Sequence, residues 1–394
     1  MLPLLLLGGA MALPVKAQDR LAALVGEGSV MLRSPSGETL VSINPNRPLI
    51  PASILKIPLA QVALTTLGED FRFETHFYRN DSGDLLIRGL GDPFLVSEEL
   101  ALIADTLAQR GLERVRRIVM DDSAFEPNLD LPIESGSDQP YAARNSALAV
   151  NFNTVNLDWT ADGSLVSAEA QTPLTEIARR LGVGLARGEP QRINVGEDPV
   201  AGLMQAQQLF RYFLEQAGIA VADVSFHREE LSDDWMPFYQ HRSSRSLRDN
   251  IDGMLRYSNN FIANQIFLAL GAQADGYPVS VESARAELKG RLEELYGEGF
   301  GSDPQTLLVI EGSGLSRTQR STAEGMVQIL DVFKPHAELL SEVDGVLRKS
   351  GTLTGVYNFA GYIRKRDRLY PFVIMTNQAR NNRAEILWIL SGQL

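Results

Sequence analysis

The sequence predicts a mixed α/β fold in which one domain is interrupted by a strand-rich insertion. Residues 53–67 form a nearly continuous apolar helical pattern, strand-like segments follow, and helical periodicity returns from Ser246. Of three short polar motifs, one precedes the strand-rich part and two follow it. They can contribute to one site only if the segments on both sides form one domain. We therefore predict a discontinuous domain of residues 18–75 and 240–394 around an insertion of residues 76–239. The alternative is three consecutive domains.

The composition is ordinary for a globular protein and excludes one class of partner. The 394 residues are 44% hydrophobic and 22% charged, which allows two or three domains and a sizeable core. The net charge of −12 leaves no basic surplus to neutralise phosphates, so we expect no nucleic-acid partner. An acidic total is still compatible with a local basic pocket for an anionic substrate.

The first 17 residues predict an export signal. An apolar run at residues 4–12 is followed by Val15-Lys16-Ala17, which suits cleavage before Gln18. The run is too short to span a membrane comfortably, so we expect an exported protein without a transmembrane segment. The alternative for these residues is an N-terminal strand or a buried helix.

The chain has no cysteine, and its four histidines are scattered. Disulfides and thiolate metal sites are therefore excluded, and stability has to come from a large core. Because no H-E-x-x-H spacing occurs either, we expect neither a metal nor another cofactor.

The elements can be placed in order along the chain. Before the insertion we predict a helix at residues 18–24, strands at 29–33 and 40–44, and an apolar helix at 53–67. Within it we predict strands at residues 84–89, 115–120 and 147–158, with helices at 98–110 and 175–181. After it we predict a helix at 256–270, a hairpin of strands 352–364 and 369–376, and a helix at 382–390. Pro58 lies inside the apolar helix and is expected to kink it.

Lysine is scarce, and only Lys56 among the lysines follows a serine by three positions. On a helix this spacing places Lys56 one turn from Ser53, within reach of its hydroxyl. Apolar surroundings disfavour the charged form of lysine, and a neutral amine can accept the serine proton, whereas arginine cannot. We therefore predict Ser53 as a nucleophile and Lys56 as its base. The common alternative is a helix cap followed by a solvated lysine.

A second motif is Ser258-Asn259-Asn260, at the predicted join between two helical stretches. If it belongs to the same site, Ser258 relays a proton between Lys56 and a leaving amine. Asn260 then donates to a substrate carbonyl while it helps to hold Lys56. The alternative is a simple capping site, because serine and asparagine are favoured at helix ends.

The third motif, Lys-Ser-Gly-Thr, is expected to begin a strand. Gly351 would let a substrate backbone approach closely, and the Thr352 N–H would pair with that of Ser53 in an oxyanion hole. Lys349 and the hydroxyls of Ser350 or Thr352 can hold a terminal carboxylate. The alternative is a lysine that protects an exposed strand edge.

Together and in this order, the motifs read S-x-x-K, S-x-N and K-[ST]-G-[ST], and the sequence resembles the class C low-molecular-mass penicillin-binding proteins. Four further strings match that family, at residues 88–93, 146–151, 312–317 and 355–361. The resemblance covers most of the chain after residue 17. Two departures are Ser350, where threonine is usual, and a compact layout that indicates a reduced or missing third subdomain.

The resemblance implies a periplasmic serine D-alanyl-D-alanine carboxypeptidase, and several family members also have endopeptidase activity. It implies a transpeptidase-like fold, with an antiparallel sheet flanked by helices and an inserted domain. The implied partners are peptidoglycan stem peptides as substrates and β-lactams as acylating inhibitors. Asp138 and Arg317 fall where the family contacts the side chain of the peptide.

Two alternatives are left open by the sequence. A serine β-lactamase has the same motifs but hydrolyses its penicillin adduct quickly, whereas a carboxypeptidase stays acylated. A non-catalytic cell-wall-binding protein would retain the fold, although three intact motifs argue against it.

Overall fold

The computed structural model describes residues 15–132, 134 and 136–394. The described chain divides into two compact units. The first unit contains the described residues up to 61 together with 289–310 and 314–394, and the second contains 62–288 and 311–313. The domain boundaries predicted near residues 75 and 240 stay a prediction, because compact units and domains need not coincide.

Ten α-helices occur in the described residues. They are α1 (Val15–Val25), α2 (Lys56–Leu67), α3 (Ser97–Gln109), α4 (Glu176–Leu181), α5 (Pro199–Gln216), α6 (Leu247–Tyr257), α7 (Asn260–Asp275), α8 (Val281–Tyr296), α9 (Ala323–Phe333) and α10 (Arg383–Ser391). The helices predicted at 98–110, 175–181 and 382–390 correspond to α3, α4 and α10.

The strands of the described chain follow in the same way. They are β1 (Ser29–Arg33), β2 (Thr39–Ile43), β3 (Glu74–Arg79), β4 (Leu85–Gly89), β5 (Arg114–Asp121), β6 (Thr154–Trp159), β7 (Leu165–Ser167), β8 (Gln191–Asn194), β9 (Ala220–Asp223), β10 (Met236–Arg242), β11 (Phe300–Asp303), β12 (Leu307–Leu308), β13 (Arg320–Ser321), β14 (Ser341–Val343), β15 (Val346–Leu353), β16 (Val356–Lys365) and β17 (Arg368–Thr376). The predicted C-terminal hairpin is β16 and β17, with its first strand starting at Val356 instead of residue 352.

A six-stranded antiparallel sheet forms the centre of the first unit. Its order is β14-β15-β16-β17-β1-β2, so an early strand pairs with the last strand of the chain. Apolar side chains of the sheet, such as Leu32 and Ile374, share one buried cluster with Leu21 of α1 and Ile386 of α10. Helix α9 packs on β1, β16 and β17. The predicted antiparallel sheet flanked by helices is confirmed.

The second unit is built on a five-stranded mixed sheet with the order β10-β3-β4-β5-β9. Strands β10, β3 and β4 pair antiparallel, whereas β5 is parallel to both β4 and β9. Helices α3 and α5 bury residues such as Leu100, Ile103 and Phe210 in its core. A separate small sheet, β7-β6-β8, encloses its own apolar cluster with α4. This small cluster is a candidate for the reduced third subdomain.

The strand predicted at residues 147–158 begins only at Thr154, so its predicted start was wrong. Residues 151–153 all have positive φ angles, between 51° and 60°, and form a 3-10 turn. Asparagine tolerates this left-handed region better than most residues, and the Asn151 Oδ1 accepts the Ser97 N–H at 3.0 Å. Apolar and polar alternation alone therefore overestimated the length of the strand.

The predicted export signal, residues 1–17, lies outside the described residues apart from its last three positions, which begin α1. The helix predicted at residues 18–24 forms the later part of α1. Among the described residues, no helix is both long enough and apolar enough to cross a lipid bilayer.

Asp92, in the loop after β4, is a buried carboxylate of the second unit. It is 3% exposed, and its Oδ1 accepts the Phe94 N–H at 2.8 Å. Burial raises the pKa of Asp92 to about 6, and the nearby Glu99 carboxylate acts in the same direction. The unfolded chain ionises this group near its ordinary pKa of 3.8. Folding stability is therefore lost as the pH rises from about 4 to about 6.

We expect Asp92→Asn to remove this loss and to keep an acceptor for the Phe94 N–H. At pH 8 its free energy of unfolding should exceed that of the wild type by about 1–3 kcal/mol, and near pH 4 most of this gain should be gone. Denaturant titrations at several pH values measure the difference. Asp81→Asn, which removes an exposed carboxylate, is the control. An equal gain at pH 4 and pH 8 would show that ionisation of Asp92 is not the cause.

Candidate active site

Ser53 lies in a tight turn that leads directly into α2. Residues Ala52–Leu55 form one 3-10 turn, and Ala52 has a positive φ of 49°. The helix predicted from Ser53 therefore becomes α-helical only at Lys56. Pro58 consequently lies in the first turn of α2, where the backbone N–H has no acceptor within the helix and proline is tolerated. The reason for expecting a kink at Pro58 is thereby removed.

The Lys56 amine and the Ser53 hydroxyl are in direct contact. Lys56 Nζ lies 3.0 Å from Ser53 Oγ. Lys56 is 0% exposed, and neighbouring positions of α2, such as Ile57 and Leu59, are buried and apolar. The amine is therefore buried and held beside the hydroxyl, within reach of the proton that a base would take from serine.

Strand β15 runs beside the backbone of the Ser53 turn. The Lys-Ser-Gly-Thr motif lies in the middle of this strand, so its predicted place at a strand start was wrong. A Cβ on Gly351 would lie 2.6 Å from the Pro51 carbonyl oxygen and 3.2 Å from the Ser53 nitrogen. Any side chain at this position would clash, so only glycine fits. Gly351 was expected to admit a substrate backbone, and in the structure the backbone that lies against it is that of Pro51 and Ser53.

Two asparagines hold the loop that precedes Ser53. The buried Asn358 donates from Nδ2 to the Ile50 and Pro51 carbonyl oxygens, at 2.9 and 2.8 Å. Asn377 Oδ1 accepts the Ile50 N–H at 2.7 Å. The sequence motifs assign no role to either residue, although a polar residue inside the apolar strand β16 indicates a buried hydrogen bond.

Lys349 is a buried cation of the first unit. It is 3% exposed, and its Nζ donates to the Ser350 carbonyl oxygen at 3.0 Å. Burial lowers the pKa of Lys349 to about 8, and the Arg383 guanidinium adds to this effect. Lys349 is therefore mostly charged at neutral pH and loses its proton as the pH rises past 8.

Arg383, the first residue of α10, contacts the same strand. Its Nη1 donates to Thr352 Oγ1 at 2.7 Å. The same nitrogen lies 3.4 Å from each of the Gly351 and Asn358 carbonyl oxygens, to which it also donates. The guanidinium carbon lies 4.5 Å from the centre of the Phe359 ring, a cation–π geometry. No sequence motif indicated this residue.

Gly314 packs against Ala52, the residue that precedes Ser53. Its φ is +87°, and a Cβ there would lie 2.2 Å from the Ala52 carbonyl oxygen. Arg317, three residues later, is exposed and donates from Nη2 to the Thr354 carbonyl oxygen at 2.8 Å, just past the end of β15. The segment that contains Gly314 and Arg317 therefore supports the Ser53 turn, through the contact of Gly314 with the Ala52 backbone.

Ser258 and Asn260 lie at the junction of α6 and α7, in the second unit. Ser258 has a φ of +54°, a conformation that costs a non-glycine residue about 1–2 kcal/mol. Asn259 caps α7, because its Oδ1 accepts the Ile262 N–H at 3.0 Å. Asn260 donates from Nδ2 to the Tyr141 carbonyl oxygen at 3.2 Å. The capping role expected as an alternative thus belongs to Asn259.

Asp138 also belongs to the second unit and is exposed. Its Oδ1 accepts a hydrogen bond from Gln139 Nε2 at 2.9 Å. Of the predicted site residues, the first unit brings together Ser53, Lys56, Lys349, Ser350, Gly351 and Thr352, with Arg317 near the end of β15. The second unit holds Asp138, Ser258 and Asn260.

Comparison with protein families decides where this chain belongs. A family model described as D-Ala-D-Ala carboxypeptidase 3 (S13) matches residues 16–184 and 186–341. The chain belongs to this S13 family. The matched part of the S13 chain includes Ser53 and Ser258 and ends before Lys349.

Similar proteins agree with this assignment. The S13 chain is 27% identical to a D-alanyl-D-alanine carboxypeptidase of Actinomadura sp. (strain R39), over 96% of this chain and 85% of the relative. It is 24% identical to the D-alanyl-D-alanine carboxypeptidase DacB of Haemophilus influenzae, over 80% of this chain and 77% of the relative. The predicted resemblance to low-molecular-mass penicillin-binding proteins is confirmed. The S13 chain is a serine peptidase, a hydrolase of the D-alanyl-D-alanine carboxypeptidase family.

Solved structures share the fold of the S13 chain. Penicillin-binding protein 4 (DacB) of Haemophilus influenzae matches it with a TM-score of 0.74 at 20% identity, over 96% of this chain and 98% of that one. A predatory endopeptidase of Bdellovibrio bacteriovorus, solved with an immunity protein, matches with a TM-score of 0.55 at 16% identity, over 93% and 91%. At these identities the likeness concerns the fold alone, and it confirms the predicted fold class.

Gly314→Ala should damage both the stability and the activity of the S13 chain. Gly355→Ala is a matched control, because Gly355 also has a positive φ, +75°, but nothing lies within 4 Å of its Cβ. Both alanines incur the left-handed backbone penalty, and only Gly314→Ala adds a clash with the Ala52 backbone. We expect Gly314→Ala to lose about 1–3 kcal/mol more than Gly355→Ala. Denaturant unfolding and D-alanine release measure this, and equal losses would exclude a role of the Gly314 contact.

Proposed function

We propose that the S13 chain cleaves the D-Ala-D-Ala end of peptidoglycan stem peptides with Ser53 as its nucleophile. Ser53 Oγ attacks the carbonyl carbon of the penultimate D-alanine, and its proton passes to Lys56 Nζ. The C–N bond breaks, the terminal D-alanine leaves with a proton on its amine, and an acyl ester stays on Ser53. Water then cleaves the ester. The 3.0 Å contact between Lys56 Nζ and Ser53 Oγ in a buried environment carries this proposal.

Two backbone N–H groups, those of Ser53 and Thr352, would stabilise the negatively charged oxygen of the tetrahedral intermediate. The close packing of Gly351 against the Ser53 backbone supports this pairing, because it puts β15 next to the nucleophile. Donors that are already in place need no reorganisation during the reaction. One such donor contributes about 3 kcal/mol to transition-state stabilisation.

The other predicted site residues keep the roles that the family resemblance implies. Ser258 would return the proton from Lys56 to the leaving amine, and Asn260 would donate to the substrate carbonyl. Asp138 and Arg317 would contact the side chain of the stem peptide. The motif pattern supports these roles, and the left-handed backbone of Ser258 is of the kind that clusters at functional sites.

We propose that the enzyme works in the periplasm. There its substrate is peptidoglycan, and penicillins acylate Ser53. The predicted signal at residues 1–17 supports export. Penicillin-binding protein 4 of Haemophilus influenzae has been solved with a β-lactam, and another structural neighbour is an endopeptidase. A second activity on peptide cross-links is therefore part of the proposal.

Release of D-alanine from a synthetic stem pentapeptide tests this function. Folded protein should release one D-alanine per peptide, whereas no release would favour a non-catalytic cell-wall-binding protein.

Intact-mass measurement after a brief exposure to penicillin separates a carboxypeptidase from a serine β-lactamase. We expect a persistent single adduct, and a rapid return to the free mass would identify a β-lactamase.

A further inference from the structure

Arg383 of α10 makes a charged contact with Thr352 of the Lys-Ser-Gly-Thr motif, which lies 31 positions earlier in the sequence. Its hydrogen bond to Thr352 Oγ1, at 2.7 Å, is shorter than its bonds to backbone oxygens. We propose that Arg383 determines specificity for substrates that end in a free carboxylate, because it positions the Thr352 hydroxyl and places a positive charge beside it. The inference rests on the proposed carboxypeptidase function and deepens it.

The direction of this hydrogen bond fixes what the Thr352 hydroxyl can do. A guanidinium group only donates, so Thr352 Oγ1 is the acceptor toward Arg383. The single hydroxyl proton is then available for another acceptor. A carboxylate oxygen is the strongest acceptor that the end of a peptide offers. Arg383 is therefore a positioning residue that acts on the substrate through Thr352.

The Arg383 guanidinium is held in a defined place. It stacks on the Phe359 ring and bonds the carbonyl oxygens of Gly351 and Asn358 as well as Thr352. The side chain is only partly exposed. Because its geometry is set before a ligand arrives, little conformational entropy is lost when a carboxylate binds.

The local charge favours an anionic ligand. No carboxylate pairs with Arg383 in the part of the chain that the structure describes. Lys349, a cation of β15, is close enough for the Arg383 charge to disfavour its protonation. A bound carboxylate relieves this repulsion between like charges, whereas an amidated end does not. The local cations also oppose the net charge of −12, which repels an anionic peptide.

The test compares kcat/KM for two peptides, one ending in free D-alanine and the other in D-alanine amide. Arg383→Gln should lower the acid-to-amide ratio of kcat/KM by about 10- to 100-fold, almost entirely through the acid peptide. Thr352→Val should lower the ratio similarly. The double variant should add little, because both changes remove the same contact. The ratio does not depend on the fraction of folded enzyme, so a folding defect cannot imitate the effect.

Arg348→Gln is the matched control. It removes a positive charge that also lies over the Phe359 ring, at 4.7 Å, and it should leave the ratio nearly unchanged. Arg383→Lys keeps the charge without the fork geometry and should recover part of the ratio. If wild type releases D-alanine and Arg383→Gln keeps the wild-type ratio, or Arg348→Gln lowers it equally, the inference is wrong. Failure of the wild type to release D-alanine would instead refute the proposed function.

Discussion

Ser53→Ala should abolish both D-alanine release and covalent labelling by penicillin. The variant keeps the backbone N–H of the proposed oxyanion hole but has no oxygen to form the acyl ester. Loss of a nucleophile that works as a unit with its base reduces turnover by about 10⁴- to 10⁶-fold. A D-alanine assay measures the first effect, and gel detection of a fluorescent penicillin measures the second.

The control for this variant is Ser36→Ala, at an exposed serine in the turn between β1 and β2. It removes one exposed hydroxyl that belongs to none of the predicted site motifs and should keep full activity and labelling. Thermal unfolding of both variants should stay close to that of the wild type. Penicillin labelling of folded Ser53→Ala protein at the wild-type rate would rule out Ser53 as the nucleophile.

Lys56→Met should reduce acylation almost as severely as loss of the serine. The change removes the amine that lies 3.0 Å from Ser53 Oγ and replaces it with an apolar side chain of similar length. Because Lys56 is fully buried, an apolar replacement also avoids the cost of burying a polar group. We therefore expect a stable protein whose acylation is slowed by about 10⁴-fold or more. Stopped-time labelling with a fluorescent penicillin measures the rate.

A second variant of Lys56 separates proton transfer from charge, and a variant of another lysine serves as the control. Lys56→Arg puts a permanent cation beside Ser53 that cannot accept a proton, so it should be as slow as Lys56→Met. Lys365→Met, at the end of β16, removes a lysine outside the site and should acylate normally. Near-normal acylation by Lys56→Met would assign the base to another group.

The contact between Ser53 and Lys56 could be predicted because it depends on local spacing alone. A helical turn brings positions i and i+3 to one face, whatever the rest of the fold does. The structure changes the detail, since the turn of Ala52–Leu55 is 3-10 instead of α-helical. It keeps the two side chains in contact, so the chemistry drawn from the spacing is still available.

Contacts between distant parts of the chain could not be predicted from the motifs. Arg383 meets Thr352 only because α10 follows β17 beside the neighbouring strands, and Asn358 reaches Pro51 across 307 positions of sequence. The left-handed φ of Ala52 was equally hidden, because alanine carries no preference for that conformation. These features depend on the assembled sheet, which a one-dimensional pattern does not contain.

The residue that penicillin acylates gives the most direct test of Ser53 as the nucleophile. Wild-type protein is exposed briefly to penicillin and digested, and the modified peptide is sequenced by tandem mass spectrometry. We expect a single adduct, on Ser53, and no adduct on Ser258 or Ser350. An adduct on another serine, with Ser53 unmodified in folded protein, would contradict the proposed mechanism at its first step.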